Sequence, residues 1–443
     1  MLKNYLILAW KVLSRKKFFT FISLFGISFT LMILTVLAAF LDGELGSHAP
    51  ITRQNRLVFM DQVVMKLTVP DTVLTIDSTL TGGVMRYDTT MEIGEETRNY
   101  SGSAASYGML DRYLRGLPHT AEQTFYHTQT FDVYLNSTKF PVQTMFADGA
   151  YWRVFDFEFI EGGGFPDAAV TERSPVVVIS RTARRAFFGG DAPAVGQEVE
   201  INRTRFRVVG VVEDVSRSKN YAHADAYIPL TFTREGVLQE AGLQGPFSAA
   251  FLAASPQDRQ PLKDEIRRKA QTIPIPDPEN YNMLELEGKT VFESFATELF
   301  QGEETPAAIA WFFGIIGGLV ALFILLPTLN LISINVTRIL ERSSEIGVRK
   351  AFGAHPRDLL LQFVLENVLL TLLGGLLGFG LALWLIQVLN SSRALGNIVL
   401  AVNYSVFAYG LLITLFFGIL SGLLPAWRMS RLHVIQALKQ SPV

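Results

Sequence analysis

The chain has 443 residues, of which 49% are hydrophobic, and its 39 basic and 41 acidic residues leave a formal net charge of −2. It contains no cysteine, which excludes disulfides, thiolate zinc sites and a cysteine nucleophile. The near-neutral balance gives no indication of a nucleic-acid partner.

Four apolar runs predict four membrane-spanning helices. Residues 18–41, 307–337 and 404–427 carry no charged side chain, and residues 359–390 carry only Glu366. About 20 apolar residues in a helix cross a hydrocarbon core about 30 Å thick. A long polar stretch separates the first run from the other three. The predicted fold class is therefore an α-helical membrane protein with four transmembrane helices (1+3) and a large α+β extracytoplasmic domain between helices 1 and 2.

The first run is longer than the apolar region of a signal peptide, which has about 7–15 residues, and no small-x-small cleavage site follows it. We therefore expect an uncleaved helix. Residues 1–17 place apolar side chains at roughly helical spacing among several lysines and arginines, which predicts an amphipathic helix in the cytoplasmic membrane interface. The alternative is that this segment continues the first span inward.

Basic residues beside the runs predict the orientation, because positive charge on short flanks marks the cytoplasmic side. Residues 1–17 and 428–443 hold lysine and arginine without any acid, and residues 338–357 hold more basic than acidic side chains. The short connection 391–403 carries only Arg393. Four crossings with both termini and residues 338–358 inside satisfy this pattern. Residues 42–306 and 391–403 are then outside.

Residues 42–306 mix the signals of strands and helices. The β-branched run 175–180 predicts a buried strand, and residues 181–188 predict a short helix that ends at Gly189-Gly190. Residues 197–201 and 204–212 predict a β-hairpin around Asn202-Arg203, and residues 227–230 another strand. Residues 257–272 predict a helix, and residues 285–304 a helix leading into the second span. This pattern indicates an α+β domain.

No catalytic, cofactor-binding or metal site is predicted. Gly288-Lys289-Thr290 resembles the end of a phosphate-binding loop, but that loop needs a glycine five positions earlier, where Met283 stands. His119 and His127, or His223 with Asp225, lack a third well-spaced ligand. Surface or turn positions are the simpler interpretation of these side chains.

Within the spans, small residues recur four apart, and such spacing lets membrane helices approach closely. Glycine is also common in membrane helices without that role. The only ionisable residue in an apolar run is Glu366. Its position near the cytoplasmic end of the span favours a packing or interface role over proton or substrate handling. The predicted packing pairs are Gly314 and Gly318, Gly374 and Gly378, and Gly418 and Gly422.

The segment RILERSSEIGVRKAFGAHPRD at 338–358 predicts a short cytoplasmic helix. Glu345 and Arg349 are four apart and can pair on one face. Gly353 is a candidate helix end, and Pro356 suits the first turn of the next helix. One interpretation is a basic loop that only fixes topology, and the other is a docking helix for a cytoplasmic partner.

At this point the chain resembles the MacB/FtsX family of ABC transporter permeases. The stretch ERSSEIGVRKAFGA is similar to the family's loop after its second helix. The helix that follows this loop in the family carries an acidic residue and then glycines, and Glu366 and Gly374-Gly375 match that pattern here. LPAWRMSRLHVIQAL at 424–438 is similar to the family's C-terminal signature. Residues 146–163 and 176–215 resemble the MacB-like periplasmic core, whereas residues 42–100 match only loosely.

The resemblance implies a mechanotransmission permease of the bacterial cytoplasmic membrane, a homodimer or a heterodimer with a related permease, docked on a dimer of cytoplasmic ABC ATPase subunits. ATP and magnesium would bind the ATPase, not this chain, and MacB's own fused ATPase domain is missing from this sequence. The resemblance also allows a periplasmic adaptor or another outer partner, and it implies contact with membrane lipids. The residues implied in ATPase coupling are Glu341, Glu345, Ile346, Gly347, Arg349, Lys350 and Gly353.

Three classes of function remain on the sequence alone. The leading one is a non-catalytic permease subunit for export, lipoprotein extraction or transmembrane signalling. The second is a membrane-anchored extracytoplasmic sensor without ATPase coupling. An outer-facing enzyme is the third, and it lacks a catalytic cluster.

Overall fold

The computed structural model describes residues 17–81, 84–135, 138–190, 192–301, 304–341, 356–392 and 400–430. They form two compact units. One comprises residues 47–305, and the other comprises residues 17–46 with the described residues from 306 onward. Apolar helices therefore accompany a large α+β unit, as the sequence predicts.

The α-helices are numbered along the chain: α1 (Lys17–Leu45), α2 (Tyr107–Met109), α3 (Tyr151–Val154), α4 (Asp167–Thr171), α5 (Arg181–Phe188), α6 (Arg259–Ala270), α7 (Val291–Leu299), α8 (Thr305–Glu341), α9 (Pro356–Ser392) and α10 (Tyr404–Ser430). The strands are β1 (Leu57–Met60), β2 (Val63–Thr81), β3 (Val84–Ser103), β4 (Thr120–Leu135), β5 (Thr138–Ala147), β6 (Phe159–Gly162), β7 (Val176–Ser180), β8 (Glu198–Ile201), β9 (Thr204–Val212), β10 (Ala226–Pro229), β11 (Ser248–Ala253) and β12 (Met283–Leu286). Short turns add a π-helical Leu110–Leu114 and two 3₁₀ segments, Leu230–Phe232 and Val237–Gln239.

The unit of residues 47–305, here named the outer unit, is built on a mixed sheet in the order β1-β11-β4-β5-β10-β7-β9-β6, with β8 paired to β9. Only the pairs β5–β10 and β7–β9 are parallel in this sheet. Strands β7 and β10 are buried along their whole length, which agrees with their β-branched and aromatic content. A second sheet has the order β12-β2-β3.

Local sequence signals account for several of these elements. Ser180 accepts a hydrogen bond from the Ala183 N–H at 3.1 Å and caps α5, and Gly189, with φ of +74°, ends it. Asn202 and Arg203 both have positive φ, which is the backbone of a tight two-residue hairpin turn between β8 and β9. The predicted helix over 257–272 is α6.

The predicted helix over 285–304 is wrong in its first part. Met283–Leu286 instead forms β12, which pairs antiparallel with the start of β2. The helix begins only at Val291, because Thr290 and Glu293 form a capping box there. A partner strand far away in the sequence thus overrides the helical preference of residues 285–290.

In the other unit, α1, α9 and α10 pack on one another. Ile27 of α1 lies against Gly374 of α9, and Ala39 clusters with Ile386, so α1 and α9 run in the same direction. Leu411 lies against Gly375 and Gly418 against Thr371, so α10 runs opposite to α9. Three helices are long and apolar enough to cross a membrane within the part of the chain that the structure describes, and Tyr404–Leu420 of α10 is a shorter apolar stretch.

Candidate coupling site and its supporting helices

Of the predicted ATPase-coupling residues, the structure describes one. Glu341 is the last residue of α8. The other predicted residues lie outside the described residues: Glu345, Ile346, Gly347, Arg349, Lys350 and Gly353. On the other side of that segment, α9 begins at Pro356. Two long helices therefore bracket the predicted site.

The helix that leads into the site is continuous through Pro327 and has 37 residues. At 1.5 Å per residue its length is about 55 Å, well beyond a hydrocarbon core of about 30 Å. At its start, the hydroxyl of Thr305 donates to the Glu287 carboxylate at 2.8 Å. A helix of this length can carry a displacement along its axis across a membrane.

Helices α1 and α9 approach each other closely. A Cβ built on Gly374 would lie 2.6 Å from Ile27 Cγ2, and one on Gly378 would lie 2.7 Å from the Ser28 carbonyl oxygen. Real Cβ atoms essentially never come so near, so a larger residue at either position would push the helices apart.

The other predicted glycines have different surroundings. A Cβ on Gly418 of α10 would lie 2.9 Å from Thr371 Oγ1 of α9. At Gly314 and Gly318 of α8, a Cβ would meet nothing within 4 Å in the described part of the chain. Gly422 lies in the part of α10 where only the backbone is described. The structure thus brings three predicted glycines into helix contacts and leaves two facing open space.

Glu366 belongs to a buried polar cluster on α9. Its side chain is 4% exposed, and Gln362 Nε2 donates to Glu366 Oε1 at 3.0 Å. Asn367 and Thr371 of α9 are also buried. Sequence reasoning selected only the acid. Gln362 and Glu366 are four apart and so share one face of the helix, and this spacing was available in the sequence.

The resemblance of Gly288-Lys289-Thr290 to a phosphate-binding loop has a structural explanation. A Cβ on Gly288 would lie 2.8 Å from Val58 Cγ1, so the glycine allows a close approach to β1. The backbone of Lys289 exchanges two 2.7 Å hydrogen bonds with Phe59, and Thr290 caps α7. These residues hold the domain core together.

The histidines that sequence reasoning considered lie apart, each with its own partner. His119 Nδ1 is 2.8 Å from Asp258 Oδ1, His127 Nε2 is 2.8 Å from Thr233 Oγ1, and His223 Nδ1 is 2.9 Å from the Val215 carbonyl oxygen. Among the described residues, no three histidine, aspartate or glutamate side chains are grouped to hold a metal ion.

Asp148 and His127 are among the buried groups of the outer unit whose pKa values are shifted. Burial raises the pKa of Asp148 to about 6, although hydrogen bonds from the Thr124 hydroxyl and the Phe125 N–H oppose the shift. Asp148 also accepts from the Tyr151 N–H at 3.1 Å and so joins β4 to the start of α3. Burial lowers the pKa of His127 to about 4. Both groups therefore have structural roles in the outer unit.

Two family models together match most of the chain. The MacB-like periplasmic core domain matches residues 20–269, more than half of the chain, and the FtsX-like permease C-terminal matches residues 307–434. The first match includes α1 and most of the outer unit. The second includes α8, α9, α10 and the predicted coupling segment.

Two curated proteins are similar to this chain. The chain is 28% identical over 317 residues to the macrolide export ATP-binding/permease protein MacB of Bdellovibrio bacteriovorus, covering 69% of this chain and 45% of that protein. It is 24% identical over 440 residues to the pyoverdine export ATP-binding/permease protein PvdT of Pseudomonas syringae pv. syringae, covering 97% of this chain and 58% of that protein. The chain thus spans about half the length of these curated relatives.

Among solved structures, the periplasmic region of MacB from Actinobacillus actinomycetemcomitans matches with a TM-score of 0.32 and 14% identity, over 45% of this chain and 85% of that one. On the two family models, this chain belongs to the family of ABC transporter permeases that combine a MacB-like periplasmic core domain with an FtsX-like permease domain.

Proposed function

We propose that this protein is the non-catalytic membrane subunit of a bacterial ABC complex, in which a separate ATPase drives movement of the extracytoplasmic domain. Two copies, or one copy and a related permease, would dock on a pair of ATPase subunits through the segment around Glu345 and Arg349. The ATPase would hold ATP and magnesium. Export, lipoprotein extraction and transmembrane signalling are the classes of work that such a machine performs.

The observation that carries this proposal is the continuous helix α8. It begins at Thr305, beside the outer unit in sequence, and ends at Glu341, where the predicted coupling segment starts. A rigid rod of about 55 Å is suited to transmitting a push or pull from one side of a membrane to the other. In the described spans, Gln362 donates a hydrogen bond to Glu366 near one end of α9. This arrangement favours mechanical transmission of movement over a polar pathway for substrate through the membrane.

Helix directions support four spans with both termini inside. Since α1 and α9 run in the same direction and α10 runs opposite, α1 and α9 cross outward and α10 inward if the N-terminus is cytoplasmic. That is the order which the basic flanks predict. The protein would then lie in the cytoplasmic membrane with residues 47–305 outside.

The test is charge reversal in the coupling segment. Glu345→Arg and Arg349→Glu should each reduce the amount of ATPase that purifies with the full-length protein and its stimulated ATP hydrolysis. The double variant restores the i,i+4 pair within the helix but keeps the partner-facing charges reversed, so it should not restore binding. Arg393→Glu, in the predicted outer loop, is the control.

Unchanged co-purification and unchanged stimulation in both single variants would contradict the docking role. Restoration by the double variant would show that the pair only stabilises its own helix. An outer unit that binds a ligand while no ATPase accompanies the protein would favour the sensor.

A further inference from the structure

The segment by which the chain enters the outer unit is fastened soon after α1. Helix α1 ends at Leu45, and Ile51 is fully buried in a core cluster of the outer unit. The N–H of Asp156 donates to the Pro50 carbonyl oxygen at 2.9 Å. Residues 46–49 therefore form the whole length of chain between the end of α1 and this attachment.

Arg53 and Asp156 form a bidentate ion pair within the same attachment. Arg53 Nε donates to Asp156 Oδ2 at 2.9 Å, and Arg53 Nη2 donates to Asp156 Oδ1 at 2.5 Å. The same Nη2 donates to the Arg153 carbonyl oxygen at 2.8 Å, and the Thr52 hydroxyl donates to Asp156 Oδ2. Two parallel bonds between a guanidinium and a carboxylate fix orientation as well as distance. These bonds, together with that of Pro50, are here named the entry clasp.

The exposure of the ion pair favours a geometric role over a stabilising one. The side chains of Arg53 and Asp156 are 33% and 38% exposed. Ion pairs with this much access to water usually contribute little to stability. The clasp stands directly after a membrane helix in the sequence, so a load along α1 reaches it before it reaches β1.

Helix α3, which the clasp contacts, is tied to several other elements of the outer unit. Asp148, next to β5, accepts from the Tyr151 N–H at 3.1 Å. The guanidinium of Arg153 lies 3.2 Å from the Glu122 carboxylate of β4 and 3.0 Å from the Asp167 carboxylate of α4. A displacement delivered to α3 therefore acts on β4, β5 and α4 together.

The connection to α8 is fastened at a different place. Thr305, the first residue of α8, donates to the Glu287 carboxylate at 2.8 Å. Lys289 exchanges two 2.7 Å backbone hydrogen bonds with Phe59 of β1. The connection from α8 thus meets the outer unit at β1, the first strand of the large sheet, whereas the connection from α1 meets it at α3.

We propose that Arg53 and Asp156 are positioning residues that pass a displacement of α1 to α3 and so to the large sheet of the outer unit. This inference rests on the proposed function, and it adds α1 to α8 as a second route for the movement. Removing the Asp156 carboxylate takes away the two bonds from Arg53 and the bond from Thr52. The entry segment should then yield under load and absorb much of the displacement.

Spin labels on either side of the clasp test this role, because the chain has no cysteine of its own. Ser47→Cys is exposed just after α1, and Arg205→Cys is exposed on β9, beyond the clasp. In the full-length protein reconstituted with its ATPase, ATP and magnesium should change the distance distribution between two copies at both positions. Asp156→Ala should reduce the change at position 205 at least two-fold and leave the change at position 47 as it was.

Two further variants and a control separate transmission from a loss of stability. Arg53→Gln removes the bidentate pair from its other side and should act in the same direction as Asp156→Ala. The exchange of Arg53→Asp with Asp156→Arg re-forms an ion pair and should restore the change at position 205. Asp132→Ala is the matched control, because it breaks an ion pair of similar exposure with Lys139, between β4 and β5. The stimulated ATP hydrolysis should be the same in all of them.

A change at position 205 that is as large in Asp156→Ala and Arg53→Gln as in Asp132→Ala would overturn the clasp and leave the proposed function intact. The same holds for an exchanged pair that restores nothing, and for an unmutated complex that shows a change at position 205 without one at position 47. No change at either position in an unmutated complex that hydrolyses ATP would overturn the proposed function as well.

Discussion

Gly378 of α9 lies so close to Ser28 of α1 that a Cβ on the glycine would stand 2.7 Å from the Ser28 carbonyl oxygen. The first and third apolar runs of the sequence therefore meet backbone to backbone. In lipid, where apolar burial does not drive helices together, such close packing is a main source of association.

Replacing Gly378 with valine should separate α1 from α9 and lower the stability of the helix bundle by roughly 1–3 kcal/mol. Thermal unfolding of the detergent-solubilised protein measures this loss. Gly380→Val is the matched control, because a Cβ on Gly380 of the same helix meets nothing within 4 Å. Equal melting temperatures for the two variants would show that the approach to Ser28 does not matter.

Glu366→Ala should remove the acceptor of the 3.0 Å hydrogen bond from Gln362, at a cost of about 0.6–2 kcal/mol in a membrane helix. Glu366→Gln keeps an amide oxygen in the same place and should recover most of that loss. Gln387→Ala, at an exposed position of the same helix, serves as the control in the same unfolding assay. If alanine and glutamine at position 366 are equally damaging, the negative charge itself is required, and a packing role is insufficient.

Asp148 should make the outer unit less stable as pH rises. Burial raises its pKa from 3.8 to about 6, so the folded state binds more protons than the unfolded state between these values. Stability should then fall from about pH 4 to about pH 6, by up to about 3 kcal/mol for this group. Because His127 titrates in the opposite sense over an overlapping range, the measurement is the unfolding free energy of Asp148→Asn relative to the unmutated protein, followed by tryptophan fluorescence. This difference should increase from about pH 4 to about pH 6, and a difference that does not change with pH would place the titration elsewhere.

His127 should act in the opposite direction. Burial lowers its pKa from 6.5 to about 4, so the unfolded state binds more protons between these values and stability should rise with pH across this window. His127→Phe keeps a ring against Phe146, whose centroid lies 4.4 Å from that of His127. The unfolding free energy of the unmutated protein relative to this variant should rise from about pH 4 to about pH 6.5. A difference that does not change with pH would contradict the assignment.

Local signals were enough to predict several elements from the sequence. Ser180, Gly189 and the β-branched run before them define β7 and α5, because caps and strand composition act over a few residues. The apolar runs predict the membrane helices, since the bilayer imposes a length that can be counted.

Features that depend on distant partners were missed. The β2–β3 hairpin was not predicted. Its sequence mixes Thr, Asp and Glu with apolar residues, and its base is fixed by pairing of β2 with β12, about 220 residues later in the chain. The same pairing turned residues 283–286 into a strand. Gln362 was overlooked, although its spacing of four residues from Glu366 is visible in the sequence. The direct contacts of the coupling segment stay a prediction.

The central claim is that ATP hydrolysis in the cytoplasm moves the extracytoplasmic domain. Arg205→Cys provides one spin label on the outer unit, at a side chain that is 74% exposed. In the reconstituted complex with its ATPase, the distance distribution between the labels of two copies should change on addition of ATP and magnesium, and this change should be absent with Glu345→Arg. An unchanged distribution in an unmutated complex that hydrolyses ATP would contradict the account.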